Sequence, residues 1–125
     1  MQNDSNVLQF VLDGKIQEID FSSEKHISPT TTVLNYLRSL SNHKGCKEGC
    51  AEGDCGACTV AIATSENGKI RYRAYDSCLI FLPMLHGKQL IAVENLGDSK
   101  NLHPVQEAMV DTDGSQCGYL SLIHI

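Results

Sequence analysis

Four thiols in this chain stand where they could hold iron. Cys50, Cys55 and Cys58 follow one another at x4 and x2 spacing, and Cys78 lies further along. Two ferric ions bridged by two sulfides need four thiolates, and this spacing supplies them. Such a cluster is anionic and becomes more so on taking an electron. Burying it calls for many amide N–H donors aimed at the sulfurs, because cations are scarce in this stretch. Glycine lets the backbone come that close, and Gly49, Gly53 and Gly56 alternate with the cysteines. The expected chemistry is single-electron transfer through one [2Fe–2S] cluster. Its metal ligands would be Cys50, Cys55, Cys58 and Cys78, with Gly49, Gly53 and Gly56 wrapping it.

Other readings of the thiols fit less well. Structural zinc usually takes two close pairs, whereas here one close pair is flanked by an upstream thiol and a distant lone one. Six cysteines could also make three disulfides, but no secretion leader is visible and four of the six fall within a short stretch. A Rieske centre needs two histidines inside the cysteine pattern, and none is there. Cys46 is left as a small residue on the loop's approach. Glu48, Glu52 and Asp54 are expected to point outward and keep the loop soluble, and His43, His86 and His124 to be surface or loop residues. No catalytic residue is proposed: nucleophile triads, phosphate loops, HExxH and GxG strings are all missing.

Composition bounds the partners. Ten basic against fifteen acidic residues give a net charge of −5, which argues against nucleic acid or an anionic membrane. With no long apolar run and no leader, the expected location is cytoplasmic.

The positioning elements can be read from periodicity. Val7 to Asp13 alternates and predicts a strand, Asp13-Gly14 a tight turn, and Lys15 to Phe21 the return strand. Ser22 to Thr32 reads as a loop. A threonine among Thr30 to Thr32 can cap a helix reaching Leu40, with Val33, Leu37 and Leu40 buried and Asn35 and Arg38 facing water. From Ser41 to Ala57 no periodicity survives. Thr59 to Ala63 predicts a strand, Asn67-Gly68 a turn, Ile70 to Tyr75 the return, and Gln89 to Asn95 a last strand. Pro104 opens a short amphipathic helix carrying Val105, Ala108 and Met109. The fold class expected is α+β, a small sheet domain over residues 1–96.

The stretch Gly49-Cys50-Ala51-Glu52-Gly53-Asp54-Cys55-Gly56-Ala57-Cys58-Thr59-Val60 resembles the ferredoxin-domain signature of the molybdenum hydroxylases. It is most similar to the iron–sulfur, FAD-containing subunit of the bacterial xanthine dehydrogenase branch. Ser77-Cys78, Phe81-Leu82-Pro83, Val93-Glu94-Asn95-Leu96, Leu102-His103-Pro104-Val105-Gln106 and Ser115-Gln116-Cys117-Gly118 continue the likeness. The resemblance implies a β-grasp fold and a plant-type cluster that relays electrons from a molybdopterin site toward FAD. Both of those groups would sit in partner domains or subunits of the same complex. It also implies that residues 97–119 begin a second, helical [2Fe–2S] domain. There Cys117 matches the first ligand, Leu120 stands in place of the second, and Gln116 matches the glutamine that reaches the pterin. Residues 120–125 are unlike the family, as if the frame were truncated. The alternatives are a stand-alone [2Fe–2S] ferredoxin, or the same domain of an aldehyde or carbon-monoxide dehydrogenase.

Overall fold

A computed structural model describes residues 6–97 and 100–113. β1 (Val7–Leu12) and β2 (Lys15–Asp20) pair antiparallel, with Leu12 opposite Lys15. Asp13 and Gly14 turn the chain at φ 58° and 73°. Two successive positive values match the right-handed twist of the flanking strands, which is why Asp-Gly suits this turn. Asn67 and Gly68 do the same, at φ 52° and 77°, between β3 (Thr59–Glu66) and β4 (Lys69–Asp76). This second hairpin is longer than the apolar pattern predicted. Thr64, Ser65 and Glu66 lack apolar periodicity, yet they pair with Arg71, Ile70 and Lys69, because the turn fixes the register for polar residues too.

β5 (Gln89–Ile91) joins the halves, parallel to β1 and antiparallel to β3. The sheet order is β2-β1-β5-β3-β4. A single helix, α1 (Val33–Ser39), lies on one face, the mixed-sheet-and-helix arrangement of a β-grasp domain. Thr32 caps it, its Oγ1 accepting from the Asn35 N–H at 3.1 Å. Val33, Leu34, Tyr36 and Leu37 are buried against Leu8, Phe10, Leu12, Val60, Ile62 and Leu90. Tyr36 meets Phe10 edge-on, with ring centroids 5.9 Å apart, a favoured aromatic geometry.

Two expectations about these elements need correction. The last strand ends at Ile91, not Asn95. Asn95 Oδ1 accepts the Ala92 N–H at 2.9 Å, diverting the backbone into a 3-10 turn over Val93–Asn95. Leu40 is only partly buried, and Leu34 and Tyr36 complete the helix stripe instead. The helix opened by Pro104, α2 (Pro104–Asp111), forms as expected, yet none of its residues is buried. Its apolar stripe includes Val105, 65% exposed. Among the described residues no helix is long and apolar enough to cross a membrane. Gln116, Cys117, His124 and the tail at 120–125 lie outside the described residues.

Candidate metal centre

The cysteine loop leaves α1, runs without regular structure, and re-enters the sheet at β3. Several anchors fix its two ends. Arg38, on the last turn of α1, donates through Nη1 to the carbonyls of Lys44 and Cys46 at 3.2 and 2.9 Å. The Lys47 N–H donates to the Ala57 carbonyl at 3.0 Å, closing the loop on itself. Glu94 Oε2 accepts the Gly45 N–H at 2.5 Å from the turn after β5. Arg38, predicted to face water, is a clamp. Its place near a helix C-terminus, beside a stretch lacking periodicity, was the available signal.

Inside that frame the thiols come as two pairs. Cys50 Sγ accepts from the amides of Glu52, Asp54 and Cys55 at 3.4, 3.2 and 3.3 Å, and the Cys55 thiol lies beside it. Cys55 Sγ in turn accepts the Ala57 N–H at 3.4 Å. The second pair is Cys58 and Cys78, near enough for the Cys58 thiol to raise Cys78, with the Gly53 backbone alongside. Among the described residues no three metal-ligating side chains converge on a single ion. Two thiols on each side is the donor set that two bridged irons require.

Electrostatics separate the pairs. The Glu52 amide, followed by those of Cys55 and Asp54, lowers the Cys50 thiol to about 7. These N–H dipoles stabilise the thiolate, which is also the form that binds iron. Cys78 is raised, first by burial and then by the Cys58 thiol, while the Gly53 N–H works the other way.

The glycines divide their expected role. Gly53, at φ +80°, is the one of the three whose backbone lies beside a thiol, that of Cys78. Gly56, at φ +74°, turns the chain toward β3, its carbonyl accepting from Thr59 N and Oγ1 at 3.1 and 2.7 Å. Gly49 is exposed and donates to no thiol. Ala51 also has positive φ, 58°, so the loop holds left-handed backbone even at a residue with a Cβ. The donors are amides of non-glycine residues, because a winding loop aims N–H groups inward whatever their side chains. Glu48, Glu52 and Asp54 are exposed, as expected.

Cys46 stands apart. It is 2% exposed, its thiol donates to the Thr59 carbonyl at 3.7 Å, and burial pushes it up to about 11. His43 keeps to the expected loop but not to the surface. It is buried, and its Nε2 lies 2.7 Å from Asp13 Oδ2. Ser77 was unforeseen as a structural link, although it directly precedes a ligand candidate. Fully buried, it donates through Oγ to the Cys58 carbonyl at 2.6 Å.

Residues 11–81 match the family model described as a 2Fe-2S iron–sulfur cluster binding domain. The chain is 41% identical over 119 residues to a xanthine dehydrogenase of Blastobotrys adeninivorans, which covers 94% of this chain and 8% of that protein. It is 44% identical over 98 residues to the xanthine dehydrogenase/oxidase of Mus musculus, covering 77% and 7%. Among solved structures it is similar to the aldehyde oxidoreductase of Desulfovibrio gigas, with TM-score 0.69 and 27% identity over 94% of this chain and 12% of that one. The chain thus spans less than a tenth of the length of these two curated relatives.

Proposed function

The chain belongs to the 2Fe-2S iron–sulfur cluster binding domain family, and on that premise we propose that Cys50, Cys55, Cys58 and Cys78 hold one [2Fe–2S] cluster. The observation that carries this reading is the set of three amides converging on Cys50. When bound, the cluster supplies a reversible one-electron step. The protein's part is to hold four thiolates, aim N–H dipoles at their sulfurs, and fix the loop so that little rearranges between oxidation states. Cys50 and Cys55 would serve one iron, Cys58 and Cys78 the other.

The wider function follows from the relatives. The module serves a xanthine dehydrogenase-like molybdenum hydroxylase in the cytoplasm, passing electrons from a molybdopterin site toward FAD. Those groups belong to partner domains or subunits, and residues 1–96 form the cluster-bearing unit. Identity above 40% to two xanthine dehydrogenases supports this branch. The chain by itself oxidises no substrate.

Anaerobic reconstitution with iron and sulfide tests the assignment. Two irons per chain, a red-brown colour and a rhombic paramagnetic signal after dithionite are expected. Serine at any one of Cys50, Cys55, Cys58 or Cys78 should abolish or alter that signal, and Cys46→Ala should leave it intact. A colourless protein binding one zinc would sink the reading.

A further inference from the structure

Among the described residues β4 pairs on one side only: the sheet order ends on it, next to β3. Its eight residues keep an unbroken register, from Lys69 opposite Glu66 to Asp76 opposite Thr59, so no bulge turns the edge away. Antiparallel pairs alternate between those that exchange both backbone bonds and those that exchange none. The Ser77 N–H fixes the phase, donating to the Cys58 carbonyl at 3.3 Å one step beyond Asp76 and Thr59. By that alternation Tyr75, Arg73, Arg71 and Lys69 bond inward to β3. The backbone groups of Ile70, Tyr72 and Ala74 therefore point out from the free edge. A shallow hollow of about 290 Å³, lined by the consecutive residues Lys69 to Arg73, runs along it.

The two faces of this edge differ. Ile70 and Tyr72, each 63% exposed, stand on one. Lys69, Arg71 and Arg73 stand on the other, three of the ten cations of a chain whose net charge is −5. Glu66 reaches Arg73 at 2.7 Å and Arg71 at 3.4 Å, but one carboxylate against three cations leaves the face positive. A second copy of the chain fits badly here. Antiparallel pairing of two β4 edges about Tyr72 sets Arg71 against Arg73, and like charges directly opposite destabilise a ladder. Cations guard an edge against its own copies in this way, and leave it open to a strand of opposite charge.

We propose that the free edge of β4 is a docking site for an extended acidic segment of another polypeptide, one that alternates Asp or Glu with apolar residues. The segment adds a strand to the sheet. Its backbone bonds to Ile70, Tyr72 and Ala74, its carboxylates lie against Arg71 and Arg73, and its apolar side chains lie against Ile70 and Tyr72. No part of this depends on the cysteine centre.

The test titrates the full chain into a fluorescein-labelled peptide that alternates Glu with Val, and into its counterpart with Lys in place of Glu. Binding is read by fluorescence anisotropy, and amide exchange followed by NMR locates the contact. The Glu peptide should bind and slow exchange at Ile70, Tyr72 and Ala74, and the Lys peptide should bind at least about tenfold more weakly. Tyr72→Pro removes an outward N–H and no ladder bond, and should weaken the Glu peptide about tenfold. Tyr72→Thr, which keeps that N–H, should lose less. Arg71→Gln combined with Arg73→Gln should erase the preference for the Glu peptide. Equal affinity of the wild type for the two peptides overturns the proposal, as does no binding of the Glu peptide, or protection away from β4. Should Tyr72→Pro unfold, the double variant decides, and an unchanged preference in it counts against the proposal. A peptide-free chain that sediments as a dimer with the same amides protected overturns it in favour of a second copy.

Discussion

Ser77 Oγ donates to the carbonyl oxygen of Cys58 at 2.6 Å, in a fully buried position. The Ser77 backbone N–H donates to the same carbonyl at 3.3 Å. Two residues far apart in sequence are thereby locked together, and each adjoins or belongs to the second thiol pair. Cys58 ends the loop, and Cys78 follows Ser77. The hydroxyl therefore sets the separation of two ligands that the chain brings in from different hairpin ends.

Ser77→Ala should accordingly cost stability and ligand geometry at once. Losing a buried hydroxyl that satisfies a carbonyl costs about 1–2 kcal/mol, and the remaining N–H bond keeps the loss from the top of the usual range. Urea denaturation of the cluster-free chain reads the stability term. The visible spectrum of the loaded chain reads the geometric one. An unchanged denaturation midpoint would show that the hydroxyl adds nothing to the N–H bond beside it.

The loop glycines should differ in cost. Alanine at Gly56 meets only Thr59 Oγ1 at 3.5 Å, so its penalty is the left-handed backbone at φ +74°, about 1–2 kcal/mol. Alanine at Gly53 carries the same backbone penalty and must also push aside Leu79. Gly53→Ala should therefore destabilise more than Gly56→Ala and should be the one that weakens iron retention. Equal denaturation midpoints and equal iron release for the two would contradict this ordering.

Much of this was legible before any coordinates. Asp13-Gly14 and Asn67-Gly68 carry their own turn chemistry, and the alternation of Leu8, Phe10 and Leu12 fixes which face β1 buries. The thiol spacing carries the centre. What stayed hidden is long-range. Arg38 looks like a solvent-facing helix residue until the loop folds back over it. His43 looks like a loop histidine until the β1–β2 turn brings Asp13 against it. Local periodicity cannot report a hydrogen bond whose partner lies in a segment without periodicity.

The thiols should separate by reactivity in the cluster-free chain. Cys50, lowered to about 7 by the amides of Glu52, Cys55 and Asp54, is substantially thiolate at neutral pH and should react first with iodoacetamide. Its rate should rise through pH 7 and level off above about 8. Cys46, pushed up to about 11 and buried, should stay unmodified until the fold opens. Peptide mapping after a brief pulse at pH 7 decides the matter. Labelling of Cys46 ahead of Cys50 would refute both assignments.

Acid should act partly through Asp13. Burial on its own raises this carboxyl, but the bond from Asn95 Nδ2, at 2.6 Å, and the nearby His43, its Nε2 2.7 Å away, outweigh it and leave the group below its ordinary value. A carboxyl lowered in the folded state binds its proton more readily when unfolded. Its contribution is therefore present above the unfolded value, about 4, and is lost as pH falls through the lower folded value. Asp13 is 42% exposed in its side chain, so solvent screening keeps each contact below about 1 kcal/mol. Asp13→Asn should lower the urea midpoint modestly at pH 7, since Asn-Gly still favours the turn but brings no carboxylate to the Asn95 amide. Between pH 4 and pH 2 the wild type should lose more stability than the variant, and the two midpoints should draw together. Parallel curves across that window would mean that Asp13 titrates alike in the folded and unfolded chain, and that its ties to His43 and Asn95 contribute nothing to acid sensitivity.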